Sequence, residues 1–463
     1  MTVEFQEPLN ELIQEPTLFT RGKNFLPPEK IKVYDDTLRD GEQMPGVAFS
    51  PEQKLEMAMA LSDLGVHVID VAFPAVSASE RRALQLCMEA QIKGKIREDV
   101  EILAMCRAVQ RDIDCVVDTV KAIGCSPDQV AVLVLSAASD LHLKYKLGRL
   151  FLKREEKSED EWLSLPVEFY REANIRMITQ GITYAREQGF SRVEFAAEDA
   201  SRAKLDYILD WAKACIAAGG TRLCFSDTVG CFTPEGVDHF FPAVVEITTQ
   251  QGIELHAHFH NDFGIGALNC VRALSHGASH AGVTVCGIGE RAGNAPLEQV
   301  VMQLKFLYGV ELPGFQYDLL VSTRKLTEQI SGITVQPHMP IVGEGVFYHE
   351  SGIHTAGISI HPKIYQFIPE EDVGGEHKFV FGKHSGMVAV EAVLNKNRTE
   401  LEKAGVQITA ELVKRLVKEV KDLREKKIGS NDTEEIMRSH YQNYNSLGLT
   451  EEGLLELALQ SVS

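Results

Sequence analysis

Between about residues 30 and 290 the chain repeats one unit eight times: a short run that is apolar throughout, then a segment with helical spacing. The runs are IKVYDD, HVIDVAF, EILAMC, QVAVLVLS, RVEFAA, RLCFSD, IELHAHFH and AGVTVCGIG. Continuous apolar runs suit parallel strands covered by helices on both faces. The helical segments are punctuated as helices should be. SPEQKLEMAMALSDLG opens with Ser50 as N-cap and Pro51 as the first helical residue, and Gly65 closes it. In DASRAKLDYILDWAKACIAAGG, Asp199 is the expected cap, with Gly219 and Gly220 as the stop. Eight strand–helix units in roughly 260 residues is the count of a (β/α)8 TIM barrel. Periodicity does not show closure, so a doubly wound open sheet is the alternative.

Past about residue 310 the rhythm changes. LPGFQYDLLVSTRKLTEQISG reads as a helix, an irregular stretch follows, and the chain from about 387 onward is helical and charged. AELVKRLVKEVKDLREKK carries an apolar stripe of Leu412, Leu416, Val420 and Leu423, suited to packing or a subunit contact. The net charge of −19, from 47 basic and 66 acidic residues, disfavours nucleic acid and anionic membrane surfaces as partners. No apolar run approaches the ~20 residues of a membrane span. The Glu-rich N-terminus has neither a basic flank nor a signal-peptide apolar segment. Nine scattered cysteines without a CxxC pair speak for reduced thiols and a cytoplasmic location. Cys224 and Cys286 fall in strand-like runs.

In a barrel the C-terminal strand ends face the active site. Those ends hold Arg39 and Asp40 after strand one, Glu198 and Asp199 after strand five, and Asp227 and Thr228 after strand six. Strand seven carries His256, His258 and His260, and Glu290, Arg291 and Asn294 follow strand eight. Alternate strand residues share a face, so the three histidines of HAHFHND point one way and Ala257 and Phe259 the other. Two imidazoles near a strand end, with a carboxylate from Asp40, make a two-His, one-carboxylate face for a divalent metal. Buried histidines bonded to backbone are the plainer alternative, and His256, lying deeper, is expected to support the ligands. In GIGERAGNAPLE the glycines permit tight turning and close backbone approach. His354 in ESGIHTAG stands between glycines, where a histidine is as readily a bystander as a catalyst.

Taken in order, DDTLRDGEQMPG, FPAVS, SDLHLKYKL, VEFAAEDASR, DTVG, HFHNDFG, GIGERAGNAPLE, SGIHTAG and GKHSG resemble the motifs of the acetyl-CoA-dependent Claisen-condensing enzymes. These are the 2-isopropylmalate, homocitrate and citramalate synthases. The resemblance implies an N-terminal extension at 1–29, a catalytic TIM barrel at 30–310, a linker subdomain at 311–386 and a helical subdomain at 387–463. It implies that Asp40, His258, His260 and Asn294 bind a divalent cation (Mg, Mn, Co or Zn). Arg39 then contacts the developing oxyanion, Thr228 holds the oxo-acid carboxylate, and Glu198, His354 and Tyr365 complete the catalytic set. It further implies a homodimer whose active sites are completed across subunits. The chemistry is coherent: the metal polarises a 2-oxo acid's ketone, a base takes a proton from the acetyl methyl group of acetyl-CoA, and thioester hydrolysis releases CoA. On this view Asp35, Asp36 and Glu42 only shape the loop.

FPAVS and GIGERAGNAPLE look closer to isopropylmalate than to homocitrate synthases. Glu194 stands where homocitrate synthases usually carry an Arg for the distal carboxylate of 2-oxoglutarate. Asp70 replaces the usual Glu, and Ala196 and Ala197 replace larger or more polar neighbours of Glu198, so Asp70 and Ala196 are expected at the substrate. With Ala72, Ala137 and Ala138 they suggest a pocket enlarged for a bulky apolar oxo acid such as phenylpyruvate, giving a benzylmalate. The chain ends before the C-terminal regulatory domain of leucine-inhibited relatives, so no leucine feedback of that kind is expected. The rivals are homocitrate or citramalate synthesis, an acyl-CoA or oxo-acid lyase on the same barrel, a non-haem iron oxygenase and a metal-binding scaffold without catalysis.

Overall fold

The computed structural model describes residues 25–403 and 405–427, with 4, 6 and 8–13 before them. Eight parallel strands close into a barrel: β1 (Lys32–Asp35), β2 (Val68–Ala72), β3 (Glu101–Arg107), β4 (Ala131–Ala137), β5 (Val193–Glu198), β6 (Arg222–Asp227), β7 (Glu254–Phe259) and β8 (His280–Val283). Closure is made by β1 on β8, in the register Lys32–His280 to Asp35–Val283. The open-sheet alternative is therefore excluded. A helix follows each strand, from Pro51–Leu64 after β1 to Leu297–Met302 after β8.

The expected punctuation holds for the first of these helices. Ser50 and Gln53 form a reciprocal capping box, Pro51 occupies the first turn, and Gly65 ends the helix at φ 103. Two readings need correction. The helix expected from Asp199 begins only at Leu205, because Asp199, at φ 61, instead starts a single 3-10 turn over Ala200–Arg202. Strand β8 ends at Val283, and the rest of AGVTVCGIG coils into a buried 3-10 turn with Cys286 at φ 58. Cys286 is thus in a turn, while Cys224 lies in β6 as expected. All nine cysteines are free thiols.

The barrel interior is layered. Tyr34, Leu103, Met105, Leu133, Ala196 and Cys224 form an apolar cluster. Below it lies a charged layer in which Arg222 binds Glu194 (2.6 Å), Glu101 (2.5 Å) and Glu254 (3.4 Å). Tyr34 stacks on His256 at 3.8 Å between ring centroids and also underlies the Arg222 guanidinium.

The barrel unit comprises Thr20–Gln316 and Thr323–Ile333, and a second compact unit comprises Met1–Phe19, Tyr317–Ser322 and Thr334–Ser463. The second unit pairs two short parallel strands, Tyr348–His349 and Lys378–Phe379, and carries helices Gly352–Ile360, Met387–Lys396, Arg398–Lys403 and Ala410–Lys427. On the last helix Leu412, Leu416 and Val420 are half-buried; the Leu423 side chain and everything from 428 to 463 lie outside the described residues. Most of the N-terminal segment 1–24 lies outside them too. No described helix is long and apolar enough to cross a membrane.

Candidate active site

After β1 the chain turns sharply at Asp36, whose carbonyl accepts from the N–H groups of Arg39, Asp40 and Gly41. That turn throws Arg39 across the barrel mouth. Its guanidinium donates to three carboxylates: Nε to Asp70 (2.6 Å), one terminal nitrogen to Asp40 (2.8 Å) and the other to Asp36 (2.7 Å). A guanidinium has five N–H groups, so two remain for another acceptor. Burial penalises every charge here, yet for Asp40 and Asp36 the Arg39 charge and the neighbouring histidines together outweigh it, and both carboxyls fall below the usual range. For Asp70 burial prevails and pushes the carboxyl up to about 7.

Asp40, His258 and His260 bring one ligand atom each to within 4.8 Å of one another. The two Nε2 atoms face each other at 3.4 Å and lie 3.8 and 3.9 Å from Asp40 Oδ2. The other ring nitrogens are already engaged. His258 Nδ1 is 3.0 Å from Asp36 Oδ2, and His260 Nδ1 is 3.2 Å from the Gly293 carbonyl. Both partners are acceptors, so each Nδ1 donates its proton and each Nε2 presents a lone pair to the common centre. Two lone pairs and a carboxylate converging in a buried space fit a divalent cation. Beside them Asn294 Nδ2 donates to Asp40 Oδ1 (2.9 Å), and its own Oδ1 is buried without a partner among the described residues. Asn294 comes this close because of glycine. A Cβ on Gly289 would lie 2.2 Å from Asn294 Nδ2, and one on Gly293 would lie 1.8 Å from the Gly287 carbonyl oxygen.

Arg39, Asp40, Gln43, His258 and His260 line one side of a cavity of about 310 Å³. The other side is apolar: Met105 from β3, Leu133 and Leu135 from β4, Ala196 from β5 and Cys224 from β6. Ser226, Thr228, Glu198 and, at the rim, Glu290 and Arg291 complete the lining. The Thr228 hydroxyl accepts from the Asp199 N–H (2.8 Å), which leaves its own proton to donate elsewhere. Arg291 is held by both oxygens of Asp262 and by the Thr228 carbonyl. A larger open groove, about 860 Å³, runs between helices Ala78–Ile92 and Gln110–Lys121, where Arg81, Arg82 and Arg111 mix with Asp114 and Asp118.

Several expectations change. Asp70 does not line the cavity; it is fully buried and spends its carboxylate on Arg39. Of the five alanines only Ala196 lines the cavity, and Ala197 has the outward parity of β5. Glu194 lies one layer below the cavity, bonded to Arg222 and to His256 Nδ1 (2.8 Å). It therefore cannot stand in for a substrate-binding arginine. Asp35 does shape the loop, accepting from the Thr37 amide and hydroxyl, and Glu42 pairs with Lys54. Asp36 does more, since it orients both Arg39 and His258. The signal was present: Asp36 shares the inward parity of Tyr34. Lys146 was also missed; its ammonium lies 2.5 and 2.6 Å from the two oxygens of Glu198. In the second unit His354 stacks on Tyr365, with ring centroids 4.4 Å apart, and His349 lies 6.4 Å from His354.

The HMGL-like family model matches residues 30–326, and the model described as homocitrate synthase post-HMGL domain-like matches 341–428. The chain is 39% identical to a probable 2-isopropylmalate synthase of Ignicoccus hospitalis, over 89% of this chain and 91% of the relative. It is 38% identical to the homocitrate synthase AksA of Methanothermobacter thermautotrophicus, over 88% and 92%. It is 37% identical to a putative (R)-citramalate synthase CimA of Methanopyrus kandleri, over 89% of this chain and 72% of the relative. Near-equal likeness to three differently named synthases leaves the substrate to the cavity.

Proposed function

This chain belongs to the HMGL-like family of 2-isopropylmalate, homocitrate and citramalate synthases, and from that premise we propose that it condenses acetyl-CoA with a 2-oxo acid bearing a hydrocarbon side chain, then releases CoA by thioester hydrolysis. The observation that carries this reading is the division of the cavity into a polar side built around Asp40, His258 and His260 and an apolar side built from Met105, Leu133, Leu135 and Ala196. A divalent cation held by Asp40, His258 and His260, with Asn294 beside them, would supply Lewis-acid polarisation of the ketone. The remaining work belongs to the chain. Arg39 offers two N–H groups to the oxygen on which negative charge develops. Thr228 donates its hydroxyl proton to the substrate carboxylate. Glu198 and His354 handle the proton taken from the acetyl methyl group, and Tyr365 orients the His354 imidazole by stacking. On this reading His354 and Tyr365 take part in the chemistry in a homodimer.

The side-chain preference follows from charge. A second substrate carboxylate would lie against Met105, Leu133 and Leu135, where burying an unpaired charge is costly. The cations lining the cavity among the described residues are Arg39, held by three carboxylates, and Arg291, held by Asp262. Support for an aromatic acid such as phenylpyruvate now rests on Ala196 alone, the small residue in an otherwise bulky apolar side. The test is free-thiol release from acetyl-CoA with magnesium or manganese across 2-oxoisovalerate, phenylpyruvate, pyruvate and 2-oxoglutarate. We expect kcat/KM for a hydrocarbon acid to exceed that for 2-oxoglutarate by about a hundredfold or more. Preference for 2-oxoglutarate would refute the substrate class, and no thiol release with any acid would refute the reaction.

A further inference from the structure

The motif SDLHLKYKL ends in structure that a helical period does not foresee. Residues His142–Lys146 form one π-helical turn between β4 and the short helix Gly148–Arg154, closed by the Leu147 amide on the His142 carbonyl (2.9 Å). Such widened turns are uncommon and concentrate at functional sites. This one aims two side chains at a single carboxylate. Lys146 Nζ contacts both oxygens of Glu198, and His142 Nδ1, buried without a hydrogen-bond partner among the described residues, lies 3.8 Å from Glu198 Oε1. His142 Nε2 is 3.6 Å from Asp199.

The turn is fixed from behind. Trp162 Nε1 donates to the Lys144 carbonyl (2.6 Å), Lys144 Nζ donates to the carbonyls of Leu163 and Leu165, and Gly148 leaves the space the Trp162 indole occupies. The side facing Glu198 is open, with the Lys146 side chain half-exposed. A rigid support thus carries a cation to a carboxylate at the edge of the cavity. Among the described residues the ion-pair partners of Glu198 are Lys146 and His142.

We propose that Lys146 is a positioning residue for Glu198. Its ammonium holds the two carboxylate oxygens in one orientation at the cavity mouth, and the π-helical turn exists to deliver it there. A carboxylate at a strand end has free rotation about its last bonds, and a bidentate ammonium removes that freedom before substrate arrives. The inference rests on the role given above to Glu198.

The experiment is steady-state kinetics on the full-length protein, as Lys146→Met, Lys146→Arg, Glu198→Gln and the Lys146→Met/Glu198→Gln double variant, with thermal midpoints alongside. Lys146→Met is expected to lower kcat about tenfold to a hundredfold while both KM values stay within about twofold. Lys146→Arg, which can also bridge both oxygens, should recover most of the loss. The double variant should be no slower than Glu198→Gln, since nothing is left to position. Undiminished kcat in Lys146→Met, failure of Lys146→Arg to recover it, or losses that multiply in the double variant would each overturn the proposal. If Glu198→Gln itself keeps full turnover, the role of Glu198 fails instead.

Discussion

Asp36 has no exposed surface, yet it touches two groups of the candidate site, Arg39 and His258. Buried carboxylates of this protein earn their charge only through such partners, and Glu298 shows the converse. One of its oxygens accepts from the Cys286 amide at 3.0 Å, the other has no partner among the described residues, and burial pushes the carboxyl up from 4.5 to about 7. Its folded pKa is raised, so the folded protein holds this proton more tightly than the unfolded chain does. The resulting stability is complete below the ordinary glutamate range and is lost as pH rises through about 7. Between about pH 5 and about pH 8 this group should cost on the order of 3 kcal/mol. Urea unfolding at the two pH values should therefore show a flatter dependence for Glu298→Gln than for the parent, and equal slopes would contradict it. At this scale the sequence displayed Arg39, Asp40 and the histidines because strand ends and period two are legible. Asp36 needed the same parity count carried one residue past β1, and the partners of Asp70 could not be read because they depend on distances across the barrel.

Each inward strand position belongs to a layer, and β5 shows three of them: Glu194 below, Ala196 in the apolar side of the cavity, Glu198 at the mouth. The lower layer is ionic where many barrels are aliphatic, and its members depend on one another. Removing Glu194 would strand Arg222 and His256 partly unpaired in the interior. Glu194→Ala is expected to cost about 3–5 kcal/mol in chemical denaturation, whereas replacing Glu194 and Arg222 together by apolar residues should cost less than the sum of the single losses. Additive losses would mean the layer is not a unit. Strand existence and order were legible from apolar runs. The end of β8 was not, since the buried turn around Cys286 is as apolar as a strand and only its φ of 58 separates them. The π-helical turn at His142–Lys146 was equally hidden, because a single widened turn leaves no period to detect.

For the whole molecule, the family resemblance was readable because nine motifs recur in order, and the closed barrel gives that order its meaning. The two compact units each hold part of the proposed chemistry: the cation-binding cluster in the barrel unit, His354 and Tyr365 in the other. If Asp40, His258 and His260 bind a divalent cation only when the barrel is closed, that cation should favour the folded state. Manganese should then raise the thermal midpoint by a few degrees, a chelator should reverse the rise, and Asp40→Asn should abolish the response. A shift that survives Asp40→Asn would locate the binding elsewhere. Around the barrel, the apolar residues come from β3 to β6, whereas Asp40 comes from the turn after β1, the two histidines from the end of β7 and just past it, and Asn294 from the loop after β8. On the proposed reading, the apolar lining and the cation-binding cluster thus occupy opposite arcs of one ring. A lineage could re-tailor its diet by editing one arc and leave the other untouched, and that is why similar kinship to synthases with different names is what such a ring would produce.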